Sequence, residues 1–327
     1  QFSKGTSDNW NSSAIGNIDT GTGSSASRNK WTNHPAFTFG DIELTGIWVA
    51  KFEATAAEGI GGTATLDNVT TKTVKIIPNA SPWSSIHVGN AFIVSRNMES
   101  SSVFGWTTAS GLKADGTYTT DNNNIDTHLI KNIEWGAVAY LSKSMYGHPE
   151  EIWNNAFNNR TTGCSGTGIS AHSESTCVEY NTVNGGKAST TGNIYGIYDM
   201  SGGETENVAS YVDNGHENIT TYGSSIMNAH SKYKDVFPKG KIDTEGVNYV
   251  EAVNIKGAAV YETSQNATGA NSWYGDYSLM PYKSSPWFHR GGAHNHGAAA
   301  GIFNFSNVNT YGGRGAFRPV LIVSAGL

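Results

Sequence analysis

Ala316-Phe317-Arg318-Pro319-Val320-Leu321-Ile322-Val323, near the end of the 327-residue chain, is dense in aromatic and β-branched residues and reads as a terminal strand. Near the other end, Phe37-Thr38-Phe39-Gly40 and Leu44-Thr45-Gly46-Ile47-Trp48-Val49-Ala50-Lys51-Phe52-Glu53 are short β-prone runs punctuated by glycine. The run from Thr71 to Pro78 adds a further strand, ended by its proline. Between these ends lies a helix signal from Lys131 to Tyr146: Trp135, Val138, Ala139, Ser142 and Met145 recur at three- and four-residue spacing, and Gly147 supplies a stop. A second helix is expected from Val88 to Met98, with Val88, Phe92 and Ile93 inward. Strands at both ends flanking helices give an α+β class, with the N- and C-terminal strands expected in one sheet. Trp48, Trp106, Trp135 and Trp153 are expected to fill the core.

Composition narrows the function classes. Hydrophobic residues make up 37% and charged residues only 15%, while Gly, Asn, Ser and Thr are abundant, which suits a loop-rich protein and not one of long charged helices. A net charge of -6 offers no basic surface for phosphates, so nucleic acid is not an expected partner. No apolar run reaches the length of a membrane span, and Gln1-Phe2-Ser3-Lys4 has neither the charged nor the apolar region of a signal peptide. The chain is read as soluble as it stands, already processed or cut from something longer.

Residues 1–36 form a Gly/Ser/Asn-rich arm, and 37–327 are expected to form the domain. A polar insertion at about 155–192 holds both cysteines, Cys164 and Cys177, and is expected at the surface. A bridge between them suits an exported protein and would restrict the unfolded chain by about 3 kcal/mol; two free thiols of a cytosolic protein are the alternative. His172 alone cannot complete a zinc site there. The sequons at Asn68, Asn159, Asn218 and Asn266 are expected by chance in such a composition.

Several pieces, in their order, resemble a known family. Ile47-Trp48-Val49-Ala50-Lys51-Phe52-Glu53, the helix from Ile133-Glu134-Trp135, Gly196-Ile197-Tyr198-Asp199-Met200-Ser201-Gly202, Arg290-Gly291-Gly292 and Phe317-Arg318-Pro319-Val320 are similar to formylglycine-generating, sulfatase-modifying domains over roughly residues 37–323. The resemblance implies a C-type-lectin-like fold: a small twisted sheet and two helices carrying long irregular loops. The family's enzymes bind copper through cysteines near the domain's end, whereas no cysteine follows Cys177 here. The motif also continues as Gly203-Glu204-Thr205-Glu206-Asn207 instead of the enzymes' Asn-Val-Trp-Glu-Trp. The resemblance therefore implies the fold without the oxidase activity.

A second branch of that fold, the variable proteins of diversity-generating retroelements, is the closer resemblance. Their C-terminal coding regions are randomised at adenines, so Asn codons never become Lys, Glu, Gln, Met or Trp, and none of these types occurs from Phe288 to Phe317. The variable region is placed at about 273–318. Binding loops favour Tyr, Ser, Asn and His interleaved with Gly, which offer contact and hydrogen bonds at small entropic cost. The expected ligand-binding set is Tyr274, Tyr277, Tyr282, Ser284, Ser285, His289, His294, Asn295, His296, Asn304, Ser306, Asn309 and Tyr311. From Ser284 onward these are expected to share one exposed face, with Trp287, Phe303, Phe317 and Val320 inward. Arg290 and Arg318 are assigned to holding loops.

The expected function is an extracellular receptor-recognition protein, an adhesin or a phage receptor-binding protein, with a protein or glycan ligand on a cell or virus surface. A structural subunit of a surface filament or phage particle is the alternative, a formylglycine-generating-type oxidase is a more remote one, and homo-oligomers fit either of the first two. Catalytic residues are not expected: a Gly-x-Ser-x-Gly elbow is absent, and Gly59-Ile60-Gly61-Gly62 lacks the Lys-Ser/Thr ending of a phosphate loop. No cofactor is expected. His294-Asn295-His296 with His289 invites a metal reading, but randomised Asn codons also yield His. Asp199, Glu206 and Asn207 have the hard oxygens for a structural calcium ion, while the preferred reading is a carboxylate bridging loop backbone.

Overall fold

A computed structural model describes residues 2–3, 31–57, 72–100, 125–238, 244–307 and 315–323. In chain order its main elements are β1 (Trp48–Val49), α1 (Val88–Asn97), β2 (Ile125–Leu129), α2 (Asn132–Ser142), β3 (Glu206–Asp213), α3 (Asn218–Asn228), β4 (Asp235–Pro238), α4 (Glu245–Glu251), β5 (Thr268–Gly269), β6 (Ser278–Leu279), β7 (Trp287–Arg290), β8 (Phe305–Asn307), β9 (Ala316–Phe317) and β10 (Pro319–Val323). Two-residue hairpins add to these, among them Thr38–Phe39 with Ile42–Glu43 and Thr55–Ala56 with Val74–Lys75. The class is α+β.

The terminal run quoted first is two strands, not one. β10 lies between β1 and β2, antiparallel to both, so strands near the two ends of the chain share a sheet as expected. β9 instead lies parallel to β3 in a seven-stranded sheet ordered β4-β3-β7-β8-β6-β5. Arg318 stands between them: its carbonyl accepts the Ile130 amide at 3.2 Å, and its buried guanidinium donates to Glu206, to the Ala50 carbonyl at 2.9 Å and to the Tyr198 carbonyl at 3.0 Å. One eight-residue segment thereby stitches the two sheets together.

Helix α2 stops at Ser142, short of the expected Tyr146. The amides of Lys143 and Ser144 bond back to the Tyr140 and Leu141 carbonyls, which tightens the chain into a turn before Gly147. Trp135, Val138, Ala139 and Ser142 are buried as their spacing implies, but Met145 lies beyond the helix and is 87% exposed. The α2 N-terminus is closed by Glu134, whose carboxylate accepts the Lys131 amide at 2.9 Å. In α1, Val88 and Phe92 face the core, whereas Ile93 is half-buried and Ala91 and Val94 take the inner positions.

Three other expectations are corrected. Trp48 is 71% exposed: β1 is an edge strand, Val49 turns toward the protein, and alternation sends Trp48 to solvent. Trp153 is half-buried beneath the Lys187 ammonium, while Trp135 is fully buried and Trp106 lies outside the described residues. The polar insertion is more than surface loop. Thr162 to Gly166 are buried, with Thr162 tied to the Ile77 and Ala80 carbonyls. Cys164 and Cys177 are disulfide-bonded, their Cα atoms 5.1 Å apart. Among the described residues no helix is long and apolar enough to cross a membrane.

Candidate functional site

The C-terminal stretch is built around β7, which is bonded along both edges, antiparallel to β3 and to β8. Its four residues, Trp287 to Arg290, are all buried. Both faces are covered: Trp287 packs on Tyr211, Phe288 on Phe237 and Phe305, and the Arg290 guanidinium sits 5.6 Å from the Trp135 ring. Arg290 donates both terminal nitrogens to the Ala259 carbonyl at 3.2 Å, the loop-holding role expected of it. Trp287, Phe303, Phe317 and Val320 are fully buried, as expected of a framework.

The residues from Ser284 onward do not share one exposed face, and most of the described ligand-binding set falls into three groups. His289, Asn304 and Ser285 are buried, against expectation. His289 faces Asn207 of β3, with 2.9 Å between Nε2 and Oδ1, and burial drives its pKa down to about 3. Asn304 donates to the Ala299 carbonyl at 2.7 Å, and Ser285 closes a tight turn with Tyr282. The cause is the covered sheet: with both faces packed, inward and outward positions no longer alternate, so a polar residue in β7 is enclosed like its neighbours.

The second group, Tyr282 and Ser284, sits at the start of β7 beside α3, where Asn218 donates to the Ser284 carbonyl at 2.7 Å. Ser284 is exposed and Tyr282 half-buried. The third lies past the strand's other end, roughly 13 Å away at the usual rise per strand residue. There Asn295 and His296 are exposed and His294 half-buried. Tyr277, half-buried, donates its amide to the Ala299 carbonyl of the same loop at 3.0 Å. Tyr274 is exposed yet held: its ring stacks on Phe303 at 5.9 Å, and the Lys143 ammonium lies 4.7 Å from the ring centre. Its φ of +64° is a left-handed conformation that a tyrosine adopts only under such constraint. Ser306 is half-buried opposite His289; Asn309 and Tyr311 lie outside the described residues.

The His294–His296 loop meets the disulfide-bearing insertion, a contact that the sequence does not signal. The Ser173 amide donates to the His294 carbonyl at 3.1 Å, the His294 amide to Gly203 at 2.9 Å, and Asn154 to the Gly297 carbonyl at 2.6 Å. Burial, then the nearby Arg160, His296 and His172, lower the His294 pKa; burial and His172 lower that of His296. Arg160 is itself ion-paired with Glu204. Among the described residues no group of three or more His, Cys, Asp or Glu side chains is arranged to hold a metal ion.

The oxygens considered for calcium serve the framework. Asp199 accepts the Gly163 amide at 2.9 Å and the Asn155 amide nitrogen at 2.9 Å, which is the backbone-bridging reading. Asn207 donates to the Ile86 and Gly315 carbonyls. Glu206 pairs with Arg318 at 2.8 Å, and burial raises its pKa to about 7 against the pull of the guanidinium. No protein-family model matches the chain, and no curated protein is significantly similar to it.

Proposed function

We propose that the chain is an extracellular, non-enzymatic ligand-binding protein of C-type-lectin-like fold, whose C-terminal loops form a diversified recognition surface. The observation that carries this reading is the division of labour just described: exposed Tyr, Asn and His side chains stand on loops whose supporting residues are buried and hydrogen-bonded. Such a surface tolerates change at its contacts without loss of fold. The disulfide fits an exported protein, and the joining of strands near both ends of the chain in one sheet fits the lectin-like expectation.

The recognition surface is smaller than the full set suggests. Its main patch comprises Tyr274, Tyr277, His294, Asn295 and His296, with His172 of the insertion at its border; Tyr282 and Ser284 form a separate patch. The Tyr274 ring, held by Phe303 and Lys143, beside Tyr277 and adaptable Asn and His, suits a protein or glycan ligand on a cell or virus surface. The test is a chain with those five main-patch residues changed to Ser, compared with the wild type on arrays of glycans and of immobilised surface proteins. Binding is expected to vanish while the thermal midpoint stays within a few degrees. Retention by the variant of every interaction of the wild type defeats the reading.

A further inference from the structure

The disulfide-bearing insertion and the His294–His296 loop meet at the border of the main patch, and their junction gathers four groups that carry or can take up positive charge: Arg160 and His172 from the insertion, His294 and His296 from the loop. Backbone contacts hold them near one another. The Ser173 amide reaches the His294 carbonyl at 3.1 Å, and a Cβ at Gly297 would lie 3.8 Å from that of His172. The His294 amide reaches Gly203 at 2.9 Å, beside the Glu204 that pairs with Arg160.

None of the four is saturated. The Arg160 side chain is 39% exposed and donates to Glu204 through Nη1, while its Nε and Nη2 have no partner among the described residues. His172 is exposed, and its ring makes no hydrogen bond among the described residues. The His296 Nδ1 accepts the Ala293 amide at 3.2 Å, so the neutral ring carries its hydrogen on Nε2; the His294 Nδ1, though enclosed, has no partner.

The nearby carboxylates are engaged: Glu204 by Arg160, and Glu174 by the Thr167 hydroxyl at 2.5 Å. Burial, then Arg160, His296 and His172, lower the His294 pKa, and burial and His172 lower that of His296, so both rings are neutral at pH 7 among positive neighbours. Each proton gained there raises the cost of the next, and an anion placed among the rings reverses that cost. Glu204 acts in the same sense: burial raises its pKa against the pull of Arg160, and acid that protonates it releases the guanidinium.

We infer, on the recognition reading of the main patch, that this junction is the subsite for one acidic group of a glycan, a carboxylate or a sulfate, and that binding draws protons onto its histidines. Affinity then rises as pH falls, because the anion favours the charged rings of His294 and His296 over the neutral ones that predominate at pH 7. A glycan suits the junction better than an acidic peptide. The exposed amides of Asn158, Asn159 and Asn295 flank these groups in the chain and can meet hydroxyls, and from a chain of net charge -6 a single acidic group meets less repulsion than a run of carboxylates.

The test is retention of the whole chain on an array of sialylated, sulfated and neutral glycans and of aspartate-rich peptides, at pH 7.5 and at pH 5.5. Sialylated or sulfated glycans are expected to be retained, at least ~10-fold more strongly at pH 5.5, and their neutral counterparts not. His172→Gln, His294→Gln and His296→Gln combined are expected to remove the pH dependence with the thermal midpoint within a few degrees of the wild type. Arg160→Lys keeps the charge opposite Glu204 but loses the planar fork; it is the second variant and is expected to weaken retention at both pH values. Retention confined to neutral glycans or to acidic peptides overturns the inference, as does retention of acidic glycans that is independent of pH or unchanged in both variants. Neutral ligands that the wild type retains and the five-residue Ser variant loses would leave recognition at the patch standing without this subsite, whereas a wild type that retains nothing ends both.

Discussion

Strand β7 and the loop from Ala293 to Gly297 are neighbours in the chain with similar residue types, histidine included, yet the protein treats them in opposite ways. His289 lies inside, between two bonded strands and under side chains on both faces, and it is held neutral by burial. Asn295 and His296 stand in solvent a few residues later. The change happens at Gly291 and Gly292, whose φ values of +83° and +75° turn the chain out of the sheet. A Cβ at position 292 would lie 2.8 Å from the Ala300 Cα, so the turn admits glycine and little else. Side-chain chemistry therefore does not decide what is displayed in this stretch; the strand's bonded edges and the glycine exit do.

The comparison predicts a gradient of mutational cost, steepest in the framework. Arg318 is the one cation among the groups that set the state of Glu206, and Asp199 and Glu53 lie within its field. Arg318→Met leaves those carboxylates buried without a counterion and frees the Ala50 and Tyr198 carbonyls. A loss of about 3–5 kcal/mol is expected at pH 7, measured by urea unfolding. A loss below about 1 kcal/mol would mean that packing and backbone bonds, such as that from the Ala209 amide to the Ile130 carbonyl, join the two sheets without the Arg318 side chain.

Next comes His289→Phe, which keeps the ring but leaves the Asn207 oxygen without that partner inside the sheet; about 1–3 kcal/mol is expected. The cost should also depend on pH. The folded-state pKa of about 3 lies below the unfolded value near 6.5, so between these values the unfolded chain binds the extra proton. The contribution of His289 is thus complete above pH 6.5 and shrinks as pH falls toward 3. Unfolding at pH 7.5 and at pH 5 should show the gap between wild type and variant narrowing in acid. A gap independent of pH would show that His289 takes up its proton within the fold. His128 runs the other way. Glu134, at 2.9 Å, and Asp126, at 3.2 Å, raise its pKa against burial. Its stabilisation is therefore present below pH 6.5 and is lost as pH rises through the folded value, so the pH 7.5 and pH 5 measurements are best compared between variants and not within one chain.

Much of the frame could be read from residue order: α2 and α1 from apolar spacing, the pairing of strands near both ends from β-rich runs, and the inward Trp287, Phe303 and Phe317 from their size. What could not be read depends on neighbours distant in the chain. Trp48 points outward because β1 has a strand on one side only, and nothing local to Trp48 encodes that. His289 is buried because β3 and β8 flank β7, which no period within Trp287–Arg290 reveals. The same holds for the candidate site. Residue types single out Tyr274 and the His294–His296 loop as candidates, but their supports, Lys143 and the insertion around His172, come from elsewhere in the chain.

The smallest effects are expected at Ser284 and Asn295, the exposed positions beyond the two ends of β7. Ser284→Tyr and Asn295→Tyr each exchange a small polar side chain for a large one, which would overpack any enclosed site. At a solvent-facing position the ring needs no room in the core and displaces no framework bond: what Ser284 contributes to α3 is its backbone carbonyl, which the substitution retains. Each variant should therefore unfold within about 0.5 kcal/mol of the wild type. The pair also tests whether the two ends of β7 act as one surface. If Asn295→Tyr changes the ligands retained on an array and Ser284→Tyr does not, recognition belongs to the loop beside the insertion. Equal changes from both would join the two patches into one face despite the roughly 13 Å of strand between them. A loss of stability at Asn295 comparable with that of His289→Phe would end the distinction between frame and display on which the recognition reading rests.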